Sequence, residues 1–184
     1  KVINDSHGHS IGDRAIQELA RRLHDSSRSA DLVCRWGGEE FCIVSTGLAH
    51  EGAAEFGERL RARVERECGA AVREVQGLRV TVSIGVAVDL SGSETMDKLV
   101  ERADGQLYQA KRGGRNAVAM VWPTAAASPR GLAALPVDAV TGCLSADAWG
   151  QRFQHSLALA RSRSSAIGCL VIGLDDHAAF TGPA

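Results

Sequence analysis

The sequence has no charge excess of either sign: 21 Lys and Arg against 22 Asp and Glu leave a net charge of −1 over 184 residues. That balance argues against a general nucleic-acid-binding surface, which draws on a basic excess. No uncharged apolar run approaches the ~20 residues of a membrane-spanning helix. The opening Lys1-Val2-Ile3-Asn4-Asp5 lacks the apolar stretch of a signal peptide. There is no CxxC pair. The cysteines, Cys34, Cys42, Cys68, Cys143 and Cys169, are odd in number and widely spaced, which speaks against a disulfide framework or zinc site and for small buried hydrophobes in the cytoplasm. The chain starts at Lys rather than Met and reads as a piece of something longer. What is present is ordinary for a globular domain, with 45% hydrophobic and 23% charged residues. The length suits about one domain, or one and part of another.

Ile11, Ile16, Leu19, Ala20 and Leu23 recur at helical spacing and predict an amphipathic helix over 11–25. Leu32–Trp36 and Phe41–Val44 are short apolar strands around Gly37-Gly38-Glu39-Glu40, which predicts a hairpin. A charged helix follows over 50–67, with Ala53, Phe56, Leu60 and Val64 on one side. Residues 78–88 are rich in β-branched side chains and predict a strand. Met96, Leu99, Val100, Ala103, Leu107 and Ala110 stripe a helix over 95–111, and Ala117–Val121 is a further strand. Residues 122–136 hold three prolines and many small residues, the composition of a linker. Beyond it, 145–162 reads as a helix with Trp149, Phe153, Leu157 and Ala160 on one face, and Ile167–Leu174 as a buried strand. One helix and one strand cannot build a core, so this segment needs a partner.

Three places gather chemistry. In the hairpin connection, Gly37 and Gly38 let the backbone approach a phosphate, and Glu39 and Glu40 can hold a divalent cation; a solvated acidic turn is the plainer alternative. Asn4 through Asp13 open a helix, crowding polar side chains and glycines where unpaired backbone N–H groups collect. Asn and Asp together offer the donor–acceptor edge that a guanine requires. Lys111 and Arg115, at the end of a later helix, can neutralise phosphates or simply complement that helix's C-terminal dipole.

Taken in order, Lys1-Val-Ile-Asn-Asp, Gly8-His9, Gly12-Asp13, Arg28-Ser-Ala-Asp31, Arg35-Trp-Gly-Gly-Glu-Glu-Phe41, Val80-Thr-Val-Ser-Ile-Gly85 and Ala103-Asp104 to Asn116 resemble the GGDEF-domain diguanylate cyclases over residues 1–121. The resemblance implies an α/β (α+β) nucleotide-cyclase-like fold, a central, mostly antiparallel sheet flanked by helices. It also implies a bacterial signalling reaction: two GTP condense to cyclic di-GMP with loss of two pyrophosphates, between two domains that face each other. Asn4 and Asp13 would read the guanine with His9 near the nucleotide, and Gly37 and Gly38 would admit the phosphates. Glu39 would hold Mg2+ (or Mn2+) and accept a proton, with Glu40 beside it. Lys1, Lys111 and Arg115 would stabilise phosphate charge. Arg28 and Asp31 match the RxxD motif at which the family binds its product and is inhibited, and Arg59 falls where a second inhibitory arginine often sits. A loop ion pair is the plainer reading of Arg28 and Asp31.

The family's first helix and strand do not precede Lys1, and with them is missing an Asp, five residues before Lys1, that shares the metal with Glu39. The C-terminal segment repeats that beginning in worn form. Asp138-Ala-Val-Thr-Gly-Cys-Leu resembles the family's opening motif, and Cys169-Leu-Val-Ile-Gly-Leu-Asp175 its first strand, with Gly173 at the metal-binding position and Asp175 at the strand's second Asp. Residues 137–184 are therefore expected to be the start of a second, degenerate GGDEF domain, or to fill the vacant helix–strand position of the first by swap or permutation. The intact hairpin favours a cyclase, with weak turnover in this chain; Gly173 favours a receptor that binds cyclic di-GMP or GTP without catalysis. The expected partners are GTP, cyclic di-GMP and a second GGDEF domain, with no nucleic acid and no membrane segment.

Overall fold

The computed structural model describes residues 2–48, 50–90, 94–121, 138, 140–162 and 165–175; the linker expected over 122–136 and residue Lys1 lie outside them. In chain order the elements are α1 (Val2–His7), α2 (His9–Ser26), β1 (Leu32–Gly37), β2 (Glu40–Thr46), α3 (His50–Ala71), β3 (Val82–Asp89), α4 (Met96–Arg112), β4 (Val118–Val121), α5 (Ala146–Ser162) and β5 (Ile167–Leu174). The strands form one sheet in the order β1-β2-β5-β3-β4. Every pairing is antiparallel except β3 with β4.

The apolar spacing explains the helices. Ala15, Leu19, Ala20 and Leu23 are buried along α2, and Leu99, Ala103, Leu107 and Ala110 along α4. Thr95 caps α4 by accepting from the Lys98 N–H. Gly8, at a φ of +84° that few other residues adopt, divides α1 from α2 within the stretch expected to open one helix. Two elements differ most in extent from expectation. Helix α3 continues to Ala71 because Cys68 and Val72 prolong its buried face. The third strand begins only at Val82. The Leu78–Val80 backbone instead lies against α3 at Gly69, so closely that a Cβ there would overlap the Leu78 carbonyl.

Side chains alternate across the sheet. Val82, Ile84, Val86, Leu170, Ile172 and Leu174 face α2 and α3. Cys42, Val44, Ala87, Cys169 and Val171 face α4 and α5. All five cysteines are buried as free thiols.

The C-terminal segment lies inside this architecture. Strand β5 sits between β2 and β3, Thr46 through Glu40 running opposite Ile167 through Gly173, and Val82 through Asp89 opposite Leu174 through Ile167. Ahead of it, Leu144 extends the outer edge of β1, donating to the Val33 carbonyl and accepting from the Arg35 N–H. Helix α5 then covers β1 and β2. Its Trp149 is fully buried, edge-on to Trp36 at 5.2 Å and tilted against Phe153 at 5.3 Å.

This packing sets the outcome of one truncation and two substitutions. Ile167, Leu170, Val171, Ile172 and Leu174 are all buried, together contributing about 10 kcal/mol of apolar burial, comparable with a domain's entire net stability. A chain cut after residue 121 should therefore show no cooperative thermal transition by circular dichroism, where the full chain shows one. Gly85 meets the backbone of Ala103 and Leu107 on α4 so closely that any Cβ would overlap it, whereas Gly105 has open space around it. Gly85→Ala should lose about 3 kcal/mol in urea unfolding, and Gly105→Ala should gain ~0.5–1 kcal/mol from helix propensity.

Candidate functional site

The hairpin tip is shaped by an arginine. Arg35 donates from Nε and Nη2 to the Gly38 carbonyl at 3.1 and 2.7 Å, and from Nη1 to Asp138 Oδ1 at 3.0 Å. Gly38 takes a φ of +21° and the register slips by a bulge between Arg35 and Gly37. Asp138 also accepts the Thr141 N–H and hydroxyl, at 2.9 and 2.7 Å. Burial alone would raise its carboxyl, but the bonds from Thr141 and Arg35 outweigh burial and hold it below the usual range. The C-terminal segment thus reaches the Gly-Gly-Glu-Glu turn through one ion pair. Sequence spacing gave Arg35 and Asp138 no role there, although the arginine's position just before the glycines was the signal.

Beyond the tip, the Glu39 carbonyl accepts the Leu174 N–H at 3.2 Å. Glu40 lies opposite Gly173, and Lys111 Nζ donates to Glu40 Oε1 at 2.9 Å. Helix α4 therefore delivers its last lysine onto the hairpin carboxylate, a more specific contact than completion of a helix dipole.

The turn after α4 is held by Asp175. This buried carboxylate accepts from Thr81 Oγ1 at 2.9 Å, from Ser83 Oγ and from the Asn116 N–H at 2.8 Å. Arg115 and Asn116 both adopt positive φ, +62° and +44°, a conformation disfavoured for side-chain-bearing residues that the bond to Asp175 secures. The Asn116 side chain adds a bridge to α3, donating to Glu65 Oε1 at 2.8 Å and accepting from Arg61 at 2.7 Å. The bonds from Arg61 and Asn116 draw the Glu65 carboxyl below its ordinary range. Arg115 is exposed on this fixed turn.

The N-terminal group sits on the α1–α2 pair. Asn4 is half-buried, its Oδ1 so close over Gly12 that a Cβ there would overlap it; His9 and Asp13 are exposed on the first turns of α2. Asp31 closes its own loop, accepting the Arg28 N–H at 2.6 Å and the Ser45 hydroxyl at 2.7 Å. It also lines a cavity of about 220 Å3 with His24, Ser29 and Arg152. Arg28 is exposed in that loop, and Arg59, exposed on α3, stacks its guanidinium over Phe56 at 5.0 Å.

A divalent cation asks for several oxygen ligands in one place. Glu39 and Glu40 are adjacent, but the position opposite Glu40 is a glycine, the Lys111 ammonium stands on Glu40, and Asp175 is turned to Thr81, Ser83 and Asn116. Among the described residues no cluster of three or more acidic, His or Cys side chains could hold a metal ion. The donor set does not fit one. No helix among the described residues is long and apolar enough to cross a membrane.

Residues 1–117 match the family model described as "Diguanylate cyclase, GGDEF domain". The response regulator PleD of Caulobacter vibrioides is 42% identical over 118 residues, 64% of this chain and 26% of PleD. The diguanylate cyclase DgcM of Escherichia coli is 44% identical over 119 residues, 64% of this chain and 27% of DgcM. The chain thus spans about a quarter of the length of these relatives. In structure it resembles the GGDEF domain of DgcB from Caulobacter crescentus, solved in complex with c-di-GMP, with a TM-score of 0.58 and 34% identity over 64% of this chain and 69% of that one. It also resembles the active GGEEF domain of a diguanylate cyclase from Vibrio cholerae, with a TM-score of 0.57 and 29% identity over 66% and 76%. The chain belongs to the GGDEF-domain family of diguanylate cyclases.

Proposed function

We propose that this chain carries the nucleotide-binding core of a diguanylate cyclase, the nucleotidyltransferase that joins two GTP into cyclic di-GMP with release of two pyrophosphates. The observation that carries the reading is the hairpin itself: Glu39 and Glu40 on a glycine turn shaped by Arg35, with Lys111 drawn onto Glu40. Asn4 and Asp13 supply the edge that pairs with guanine, with His9 beside the nucleotide. Gly37 and Gly38 let the chain approach the phosphates, and Lys111 and Arg115 meet their charge. Glu39 accepts the proton of the 3′-hydroxyl that attacks the α-phosphate of the second GTP. That second GTP comes from another GGDEF domain facing this one, because each domain presents one nucleotide. Lys1 is assigned to the same phosphates. The reading places the module in the cytoplasm with its substrate.

Mg2+ is the ion this family's cyclases use in general, and the hairpin carboxylates would be its ligands in a complete site. With Gly173 opposite Glu40, turnover in this chain is reduced while nucleotide binding remains. This favours a second reading, a binding module that senses GTP or cyclic di-GMP, with Arg28, Asp31 and Arg59 as the product site. In both readings residues 137–184 are by sequence the first helix and strand of a second, degenerate GGDEF domain that complete the first by swap or permutation; the Asp138–Leu144 motif supports the origin, and the place of β5 between β2 and β3 supports the completion.

The chain should bind GTP, and Asn4→Ala and Arg115→Ala should each weaken that binding about tenfold in calorimetric titration, the size of one hydrogen bond to the base in the first case and of one charge-assisted bond to phosphate in the second. Chromatography after incubation with Mg2+ and excess GTP should show little cyclic di-GMP. Affinity unchanged in both variants would overturn the site assignment, and brisk product formation would overturn the reduced turnover.

A further inference from the structure

On β5, Cys169 and Val171 face α4 and α5, and by strand alternation Gly173 and Asp175 follow them on that face. A Cβ at Gly173 would lie 2.7 Å from Lys111 Cε and 2.8 Å from Lys111 Nζ. The lysine thus occupies the space that any side chain at 173 would claim. From there its ammonium reaches Glu40 Oε1 at 2.9 Å, both groups about one-third exposed. The arrangement is reciprocal: a carboxylate at 173 would meet the lysine, and a glycine lets the lysine settle on the hairpin. The next carboxylate along the same face, Asp175, has its oxygens on Thr81, Ser83 and the Asn116 N–H. The charge of Glu40 is therefore balanced by a covalently attached cation. A divalent ion arriving at Glu40 would have to displace that ammonium against like-charge repulsion, and would find no carboxylate opposite.

We propose that Lys111 is the resident cation of this site: seated on Glu40 in the space that Gly173 leaves open, it takes the charge-balancing place of a divalent ion, so that the module takes up guanine nucleotide without metal. An ammonium carries three donors. One is directed to Glu40, and a phosphate oxygen can accept another, with Arg115 on the adjoining turn as a second cation. Lysine suits the task because it is a compact point charge on a flexible stem. This inference rests on the nucleotide-binding reading above, yet the metal half of it can be read without any nucleotide.

The first test is therefore Mn2+ alone, followed by loss of the free-ion signal in electron paramagnetic resonance. The full wild-type chain should leave the signal of equimolar Mn2+ unchanged. Gly173→Asp, verified as folded by circular dichroism, should take the ion up, because the new carboxylate both draws Lys111 off Glu40 and supplies the ligand opposite. Stoichiometric Mn2+ uptake by wild type that vanishes in Glu39→Gln or in Glu40→Gln would overturn the proposal, as would a folded Gly173→Asp chain that ignores Mn2+. The second test is GTP titration by calorimetry in excess EDTA and in excess Mg2+. Dissociation constants that agree within about twofold are expected; a loss of about tenfold or more in EDTA would overturn the proposal while leaving the nucleotide reading intact. GTP binding in neither buffer, with wild type silent to Mn2+, would instead overturn the nucleotide reading and with it the role given to Lys111.

Discussion

Strand β5 bonds along both of its edges, to β2 on one side and β3 on the other, and among the described residues no other strand joins the two halves of the sheet. Without it, β1-β2 and β3-β4 would be two separate ribbons with open edges and apolar faces turned to water. The helices depend on it too. The α2–α3 layer rests on Leu170 and Ile172, and the α4–α5 layer on Cys169 and Val171. A strand that comes last in the chain is thus the element around which the preceding residues are arranged.

The same strand sets the chemistry of the hairpin. Its penultimate residue, Gly173, faces Glu40 and leaves room for Lys111; the residue just beyond it, Asp175, fixes the turn bearing Arg115 through Asn116. Ahead of α5, Asp138 reaches Arg35 and through it the Gly38 carbonyl. The C-terminal segment therefore touches the candidate site at four points. Three are polar links, through Asp138, Asp175 and the Leu174 N–H on the Glu39 carbonyl, and the fourth is the absence of a side chain at Gly173, which leaves Lys111 its place on Glu40.

Much of this was legible in the sequence because local rules dominate there. The stripes of α2 and α4 follow the 3.6-residue period, and the Gly-Gly turn between two short apolar runs is a hairpin on local grounds alone. Ile167–Leu174 was legible as a buried strand, since both of its faces are apolar. Its place was not, because strand order is a long-range property that no window of residues encodes; whether it belonged to this sheet or another stayed open. The late start of β3 was hidden for a related reason: Leu78 and Val80 have strand-like side chains, but tight backbone packing at Gly69 holds them against α3. At the site, residue types were readable and partnerships were not. Asp175 read as the second Asp of a strand motif and is committed to three donors, and Lys111 read as a phosphate ligand and is also the counter-charge of Glu40.

The central claim is that β5 is an integral, central strand of this sheet. Native-state hydrogen exchange of the backbone amides of residues 168–173 tests it most directly. If the strand is integral, those amides exchange only by global unfolding, with the same protection and the same denaturant dependence as residues 83–88 of β3. If they exchange far faster than β3, through a local opening that leaves the rest of the sheet protected, the C-terminal strand is an accessory and the arrangement described here is wrong.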